Sequence, residues 1–214
     1  MQVLSGARPL VISDCDEVLL HMIVPFADWL DETQGVTFRM VGNDFSKAVR
    51  YKDSGELVEP AKIWELLTGF FDNEMHRQHP ILGAVGSINT LAEQADVVVL
   101  TNLSDKHNEA RRRQLADHGI NVRVFTNQGP KGPALKAIID EYQPSRAVFI
   151  DDLAQHHGSV AELVPHVDRL HLCGEPVLAP HITCGFEAGH AHARIDTWEH
   201  ALPWLLTRLH GENA

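Results

Sequence analysis

The chain has 214 residues, 44% of them hydrophobic and 22% charged, the composition of an ordinary soluble globular protein. A formal net charge of -11 disfavours nucleic acid or an anionic membrane surface as the main partner, and an anionic substrate would need a cation or local lysines to be held. Three scattered cysteines, Cys15, Cys173 and Cys184, are too few for a disulfide framework, which points to a reducing cytoplasm. No apolar run approaches the ~18 residues of a membrane span. The first residues lack a basic stretch followed by a long apolar run, so no export signal is expected.

In chain order, Pro9 to Ser13 is a short apolar run that reads as a buried parallel strand, and it ends on two carboxylates one residue apart, Asp14 and Asp16. Ligands of open α/β sheets bind beyond the carboxyl ends of the strands, and residues i and i+2 of a strand share a face. The pair is therefore a candidate site, although Asp is also a common turn former. A helix is expected over 21–34, with Ile23, Phe26, Ala27 and Leu30 on its apolar side and Gly35 as its stop. From Val36 to Pro60 no period is sustained, and the expectation is irregular chain with one short helix near 44–51. Pro60 opens a helix with Ile63, Trp64, Leu67, Phe70 and Phe71 on one face, and Trp64, Phe70 and Phe71 are expected in its core.

From Leu82 the pattern becomes regular. Expected elements are a helix over 85–94, a strand over 96–101, an Arg-rich helix over 105–118 and a strand over 121–125. A helix over 134–142, a strand over 146–150, a helix over 159–164 and a strand over 169–173 follow. Such alternation predicts an α/β fold, a Rossmann-like parallel sheet with right-handed crossovers. Between Asp14 and Thr101 lies far more chain than the about 30 residues of one strand–helix–strand unit. The excess, about 50–60 residues by that measure, makes 21–80 a small helical insertion sitting over the site as a lid, with 1–20 and 81–214 as the core.

Four element ends carry polar groups: Asp14/Asp16, Thr101, Lys131 and Asp151/Asp152. Each has an ordinary explanation alone, as a helix cap, a solvated cation or an acidic turn. The fold would bring all four to one sheet edge. Clustered carboxylates ask for a hard cation such as Mg²⁺. A carboxylate can attack phosphorus, and a hydroxyl, a lysine and backbone N–H groups suit the charge of a transferring phosphoryl group.

Asp14-x-Asp16 after one strand, Thr101-Asn102 after a second, Lys131, then Asp151-Asp152 resembles the four-motif set of the haloacid dehalogenase superfamily across about residues 9–160. Leu82-Gly83-Ala84 resembles that family's re-entry from a helical cap. The resemblance implies a Mg²⁺-dependent phosphohydrolase cleaving a small phosphate monoester. Asp14 would be the nucleophile; Asp16 would be the proton carrier and give its backbone carbonyl to Mg²⁺. Thr101 and the Asn102 amide would bind a phosphoryl oxygen, and Lys131 would neutralise the nucleophile and the phosphoryl group. Asp151 and Asp152 would hold the metal. Lys136 is the alternative lysine. Asp16 argues against a dehalogenase, because halide leaves without a proton whereas an alkoxide needs one. Glu17-Val18 departs from the pattern, standing where many relatives carry Gly-Thr or Gly-Val. A sugar-phosphate mutase using the same aspartyl phosphate is the nearest rival, and a receiver-like or non-enzymatic phospho-ligand protein a remote one.

Other signals carry less. His171-x-Cys173 and His181-x-x-Cys184 match no established zinc spacing. His156 follows Asp151 closely enough to line the site, and His190 and His192 are expected on the surface. Arg39, Lys47, Arg50, Lys52 and Lys62 give the insertion a local basic excess, read as a solvated face or as contacts to the substrate beyond its phosphate.

Overall fold

The apolar runs become strands because side chains on opposite sides of each strand enter two different cores. The computed structural model describes residues 7–40, 42 and 44–211. Its strands and helices are β1 (Leu10–Ser13), α1 (Ile23–Thr33), β2 (Val36–Phe38), β3 (Val49–Tyr51), α2 (Pro60–Asn73), α3 (Ala84–Gln94), β4 (Asp96–Thr101), α4 (Asn108–Asp117), β5 (Arg123–Thr126), α5 (Gly132–Tyr142), β6 (Ala147–Asp151), α6 (Ala154–Leu163), β7 (Asp168–His171), β8 (Ala193–Arg194) and α7 (Trp198–His210). Six strands form one sheet in the order β5-β4-β1-β6-β7-β8, every pairing parallel. Val11, Val99, Val148 and Ile150 pack with α3, α4 and α7 on one face. Leu10, Ile12, Val98, Leu100 and Phe149 pack with α5 and α6 on the other. Burial on both faces explains why the strands are continuously apolar rather than alternating. Strand order reverses beside β1, and this switch point is where open α/β sheets build their sites.

Helices α5 and α6 approach closely where the Gly132 N–H donates to Ser159 Oγ at 3.0 Å. A Cβ on Gly132 would stand 2.4 Å from the Ser159 carbonyl oxygen, so only glycine fits there.

Residues between β1 and α3 have an apolar cluster largely their own: Phe26, Trp29 and Leu30 of α1, Val36 and Val49 of a small antiparallel hairpin, and Ile63, Leu66 and Phe70 of α2. The chain departs and returns through adjacent backbone. His21 N–H donates to the His79 carbonyl at 2.9 Å, and Ile81 N–H to the Leu19 carbonyl at 2.8 Å.

Several sequence expectations need correction. Irregular chain was expected over 36–60, but β2 and β3 pair there, with a 3-10 turn at Phe45–Lys47 in place of a helix. Trp64 is 65% exposed rather than in a core, because α2 turns Ile63, Leu66 and Phe70 inward. Helix α6 begins at Ala154, five residues before the expected start, and α7 was not anticipated. Lys47 pairs with Asp44, Lys52 with Asp31 and Lys62 with Glu65, and Arg50 donates to the Gly55 carbonyl, so these four cations between β1 and α3 are engaged locally.

Candidate active site

Strand β1 delivers Asp14 to the switch point. The Asp14 N–H donates to the Ile150 carbonyl at 2.8 Å, continuing the β1–β6 ladder one step beyond Ser13. Its Oδ1 accepts the Cys15 N–H at 2.7 Å and pairs with Lys131 Nζ at 2.7 Å. Lys131, fully buried just before α5, also donates to Asp151 Oδ2 at 2.7 Å. One ammonium thus bridges the ends of β1 and β6. Lys136, by contrast, sits on the surface against Asp140. Asp151 Oδ1 accepts the Leu153 N–H at 2.9 Å, which fixes the turn into α6.

Asp14, Asp151 and Asp152 are all buried and place donor oxygens within 4.8 Å of one another. Three carboxylates therefore face a single buried ammonium. Burial pushes Asp14 up to about 7 despite the opposing pull of Lys131, with the charge of Asp151 adding to the rise. Burial, then Asp151 and Asp14, push Asp152 well above the carboxylate range. Burial would raise Asp151 too, but Lys131, His156 and His157 outweigh it and hold Asp151 low. Lys131 is raised, because Asp14 and Asp151 overcome the cost of burying its charge. An all-oxygen donor set with excess negative charge fits a hard divalent cation such as Mg²⁺.

Thr101, the last residue of β4, is fully buried, and its Oγ1 has no hydrogen-bond partner among the described residues. An orphan hydroxyl of this kind is costly unless a ligand oxygen meets it. The Asn102 side chain works on the loop instead: its Nδ2 donates to the Gly129 carbonyl at 2.9 Å and its Oδ1 accepts from Asn127 at 2.8 Å. These bonds tie the end of β4 to the loop carrying Lys131. His156 Nε2 lies 3.4 Å from Asn102 Nδ2.

The Asp16 side chain stands apart from the other carboxylates. Strand alternation ends at Ser13, and the chain coils, with the Leu19 and Leu20 N–H groups both donating to the Cys15 carbonyl. Both Asp16 oxygens accept from Arg111 Nη2, at 2.9 and 3.1 Å, and Gln78 Nε2 donates to Oδ1 at 2.7 Å. Arg111 is fully buried on α4, with Nη1 3.1 Å from Cys15 Sγ and its guanidinium over the Phe71 ring at 5.8 Å. Neither Arg111 nor Gln78 stood out in the sequence. The available signal was the i, i+4 pair Arg111 and Leu115, the two buried residues of an otherwise polar helix.

Glu17 has a backbone role. Its φ of +61° is left-handed, the conformation glycine adopts most easily. Its Oε1 accepts the N–H groups of Met22 and Ile23, at 3.1 and 2.5 Å, at the start of α1, whose own N-cap residue makes no side-chain bond. Burial pushes the Glu17 carboxyl up to about 8. Among the described residues, His171, Cys173, His181 and Cys184 belong to no metal-donor group.

No protein-family model matches this sequence, and no curated protein matches it either. Solved structures do. A haloacid dehalogenase-like family hydrolase from Streptococcus pneumoniae superposes with a TM-score of 0.63 at 8% identity, covering 93% of this chain and 98% of that one. A protein from Clostridium difficile provisionally assigned as a phosphatase gives 0.65 at 10% identity over 94% and 99%. A predicted phosphoglycolate phosphatase from Haemophilus somnus gives 0.60 at 12% identity over 92% and 97%. At these identities the likeness establishes the fold, which is that of the haloacid dehalogenase-like hydrolases.

Proposed function

We propose that this chain, which has the haloacid dehalogenase-like fold, is a Mg²⁺-dependent phosphohydrolase that cleaves a small phosphate monoester, with 21–80 acting as a cap over the site. One observation carries the reading: buried Lys131 bridges Asp14 and Asp151 at the ends of β1 and β6, and the adjacent β4 ends on Thr101, whose hydroxyl has no hydrogen-bond partner among the described residues, which leaves hydrogen bonding free for an anionic oxygen. The neighbours' assignments as hydrolases and phosphatases agree with it.

In this mechanism the Asp14 carboxylate attacks phosphorus, and the ester P–O bond breaks as the aspartyl phosphate forms. Thr101 Oγ and the Asn102 amide hold one phosphoryl oxygen, and Lys131 neutralises charge on Asp14 and on the transferring group. Asp16 protonates the departing alkoxide. It then takes a proton from the water that attacks phosphorus, and the Asp14–phosphorus bond breaks to release phosphate. Asp14, Asp151, Asp152 and the Asp16 backbone carbonyl would hold Mg²⁺, which supplies charge screening to the phosphoryl oxygens. For proton transfer the Asp16 side chain must rotate away from Arg111 and Gln78, both of which now hold it. Gln78 lies where the cap rejoins the core, so cap movement and the release of Asp16 are mechanically connected.

A mutase would use the same intermediate but return the phosphoryl group to a sugar. Two structural neighbours are provisionally assigned as β-phosphoglucomutases. The deciding experiment is phosphate release from an aryl phosphate with and without Mg²⁺, beside Asp14→Asn. Mg²⁺-dependent turnover lost in the variant is expected. Absent turnover, or full activity in Asp14→Asn, would defeat the proposal, and isomerisation of a sugar phosphate with a bisphosphate activator would favour the mutase.

A further inference from the structure

A second group of ligating side chains lies where the cap joins the core. Glu17, His21 and Glu175 each place a donor atom within 4.8 Å of the other two. They come from three parts of the chain: the coil after β1, the entry to α1 and the loop after β7. The Gly174 N–H donates to the Glu17 carbonyl at 2.7 Å, which holds that last loop against the first. His21 Nδ1 is 2.7 Å from Glu175 Oε2. Glu17 and Glu175 are 2% and 3% exposed, too buried for two carboxylates to rest on bulk water for solvation.

Hydrogen bonding leaves one oxygen over. Glu17 Oε1 is taken by Met22 and Ile23, and Glu175 Oε1 by the Val177 N–H at 2.8 Å. Glu17 Oε2 is buried without any partner among the described residues. His21 and Glu175 also line a cavity of about 510 Å³ whose wall adds Asp28, Glu32, His76 and His79. Arg77, on the same wall, is engaged by Glu32 and Glu74. The cavity wall therefore carries more carboxylates than free cations and reaches two of the three donors, His21 and Glu175.

We infer that Glu17, His21 and Glu175 form a second cation site, separate from the Asp14–Asp151–Asp152 cluster and suited to Zn²⁺. One imidazole among two carboxylates distinguishes the donors from the all-oxygen set that Mg²⁺ prefers, and such mixed sets suit Zn²⁺. Bound there, the ion would join the first turn of α1 to the loop after β7. It would brace the cap entry whatever reaction the other cluster performs.

The test is Zn²⁺ binding to the untagged, chelator-stripped full chain, read by competition with a chromophoric chelator. It is run in the Asp152→Asn background, which leaves the carboxylate cluster one ligand short, and activity plays no part. One equivalent of Zn²⁺ is expected, weakened at least about tenfold by Glu175→Gln and by His21→Asn and unchanged by His166→Gln at an exposed histidine. Should Glu175→Gln fail to fold, His21→Asn still decides, because the His21 side chain is 28% exposed and its loss leaves no void in the core. Absence of a bound equivalent, undiminished affinity in His21→Asn, or equal weakening by His166→Gln would overturn the inference.

Discussion

Arg111→Met removes the cation that, among the described residues, holds Asp16. The guanidinium is fully buried and the Asp16 side chain 17% exposed, so this pair lies between a surface salt bridge and a sealed one. Breaking a buried pair by deleting one partner costs roughly 3–5 kcal/mol, because the other charge is stranded. Asp16 can turn toward water, and Gln78 Nε2 remains 2.7 Å from its Oδ1, which places the loss at about 3 kcal/mol, the low end. At this chain length that corresponds to a melting temperature lower by roughly 6–12 °C. Asp16→Asn strands Arg111 instead and should cost at least as much, since that guanidinium has no exposure to recover. Urea unfolding followed by circular dichroism, on both single variants and the double, provides the measurement. Contacting partners couple, so the double variant should be more stable than the sum of the two losses by roughly 2 kcal/mol. Strict additivity, or Arg111→Met within about 0.5 kcal/mol of the parent, would refute the idea that this pair anchors the coil after β1.

Asp14→Asn should lower phosphate release by more than about a thousandfold with the circular dichroism spectrum unchanged. Lys131→Met removes the partner of buried Asp14 and Asp151 and should cost roughly 3–5 kcal/mol without metal; a melting curve with added Mg²⁺ should recover part of it. The raised pKa values of Asp14, about 7, and Glu17, about 8, mean that the folded chain holds protons the unfolded chain has released. That stability is full below their ordinary values of 3.8 and 4.5 and is lost as pH rises through 7 and 8. Asp151, held low, acts in the opposite direction only in more acidic solution. His156, His157, His171 and His192 are held low by burial and act in the opposite direction below their ordinary value of 6.5. Melting in a chelator should therefore fall from pH 6.5 to 8, and saturating Mg²⁺ should flatten the slope; a rise would contradict the burial argument. Gly132→Ala should destabilise by roughly 1–3 kcal/mol in urea, because the added methyl meets the Ser159 backbone.

The sheet was legible because β1, β4 and β6 are buried on both faces, so their sequences carry unbroken apolar runs. Asp14, Thr101, Lys131 and Asp151 stood out by their places at element ends, and the fold brings Lys131 into contact with two of them. The β2–β3 hairpin was not legible: each strand is three residues long and buries one side chain, Val36 or Val49, so no period develops. Helix α7 did carry a signal, Trp198, Ala201, Leu205 and Leu209 at helical spacing, obscured by the Gly- and His-rich loop before it. Arg111 was hidden among Arg112 and Arg113, since only tertiary packing distinguishes the inward arginine from its exposed neighbours. Glu17 was conspicuous but uninterpretable, as its partners are backbone amides that sequence does not display.

The burial of Lys131 also gives the protein a chemical signature. Of the six lysines, Lys47, Lys52, Lys62, Lys106 and Lys136 have side chains at least 40% exposed, whereas Lys131 has none of its side chain exposed. An amine-reactive label applied to the folded chain should modify five of these lysines and spare Lys131. Its sparing depends on the ends of β1 and β6 staying together, so the peptide carrying Lys131 reports, without any substrate, whether the sheet edge remains assembled.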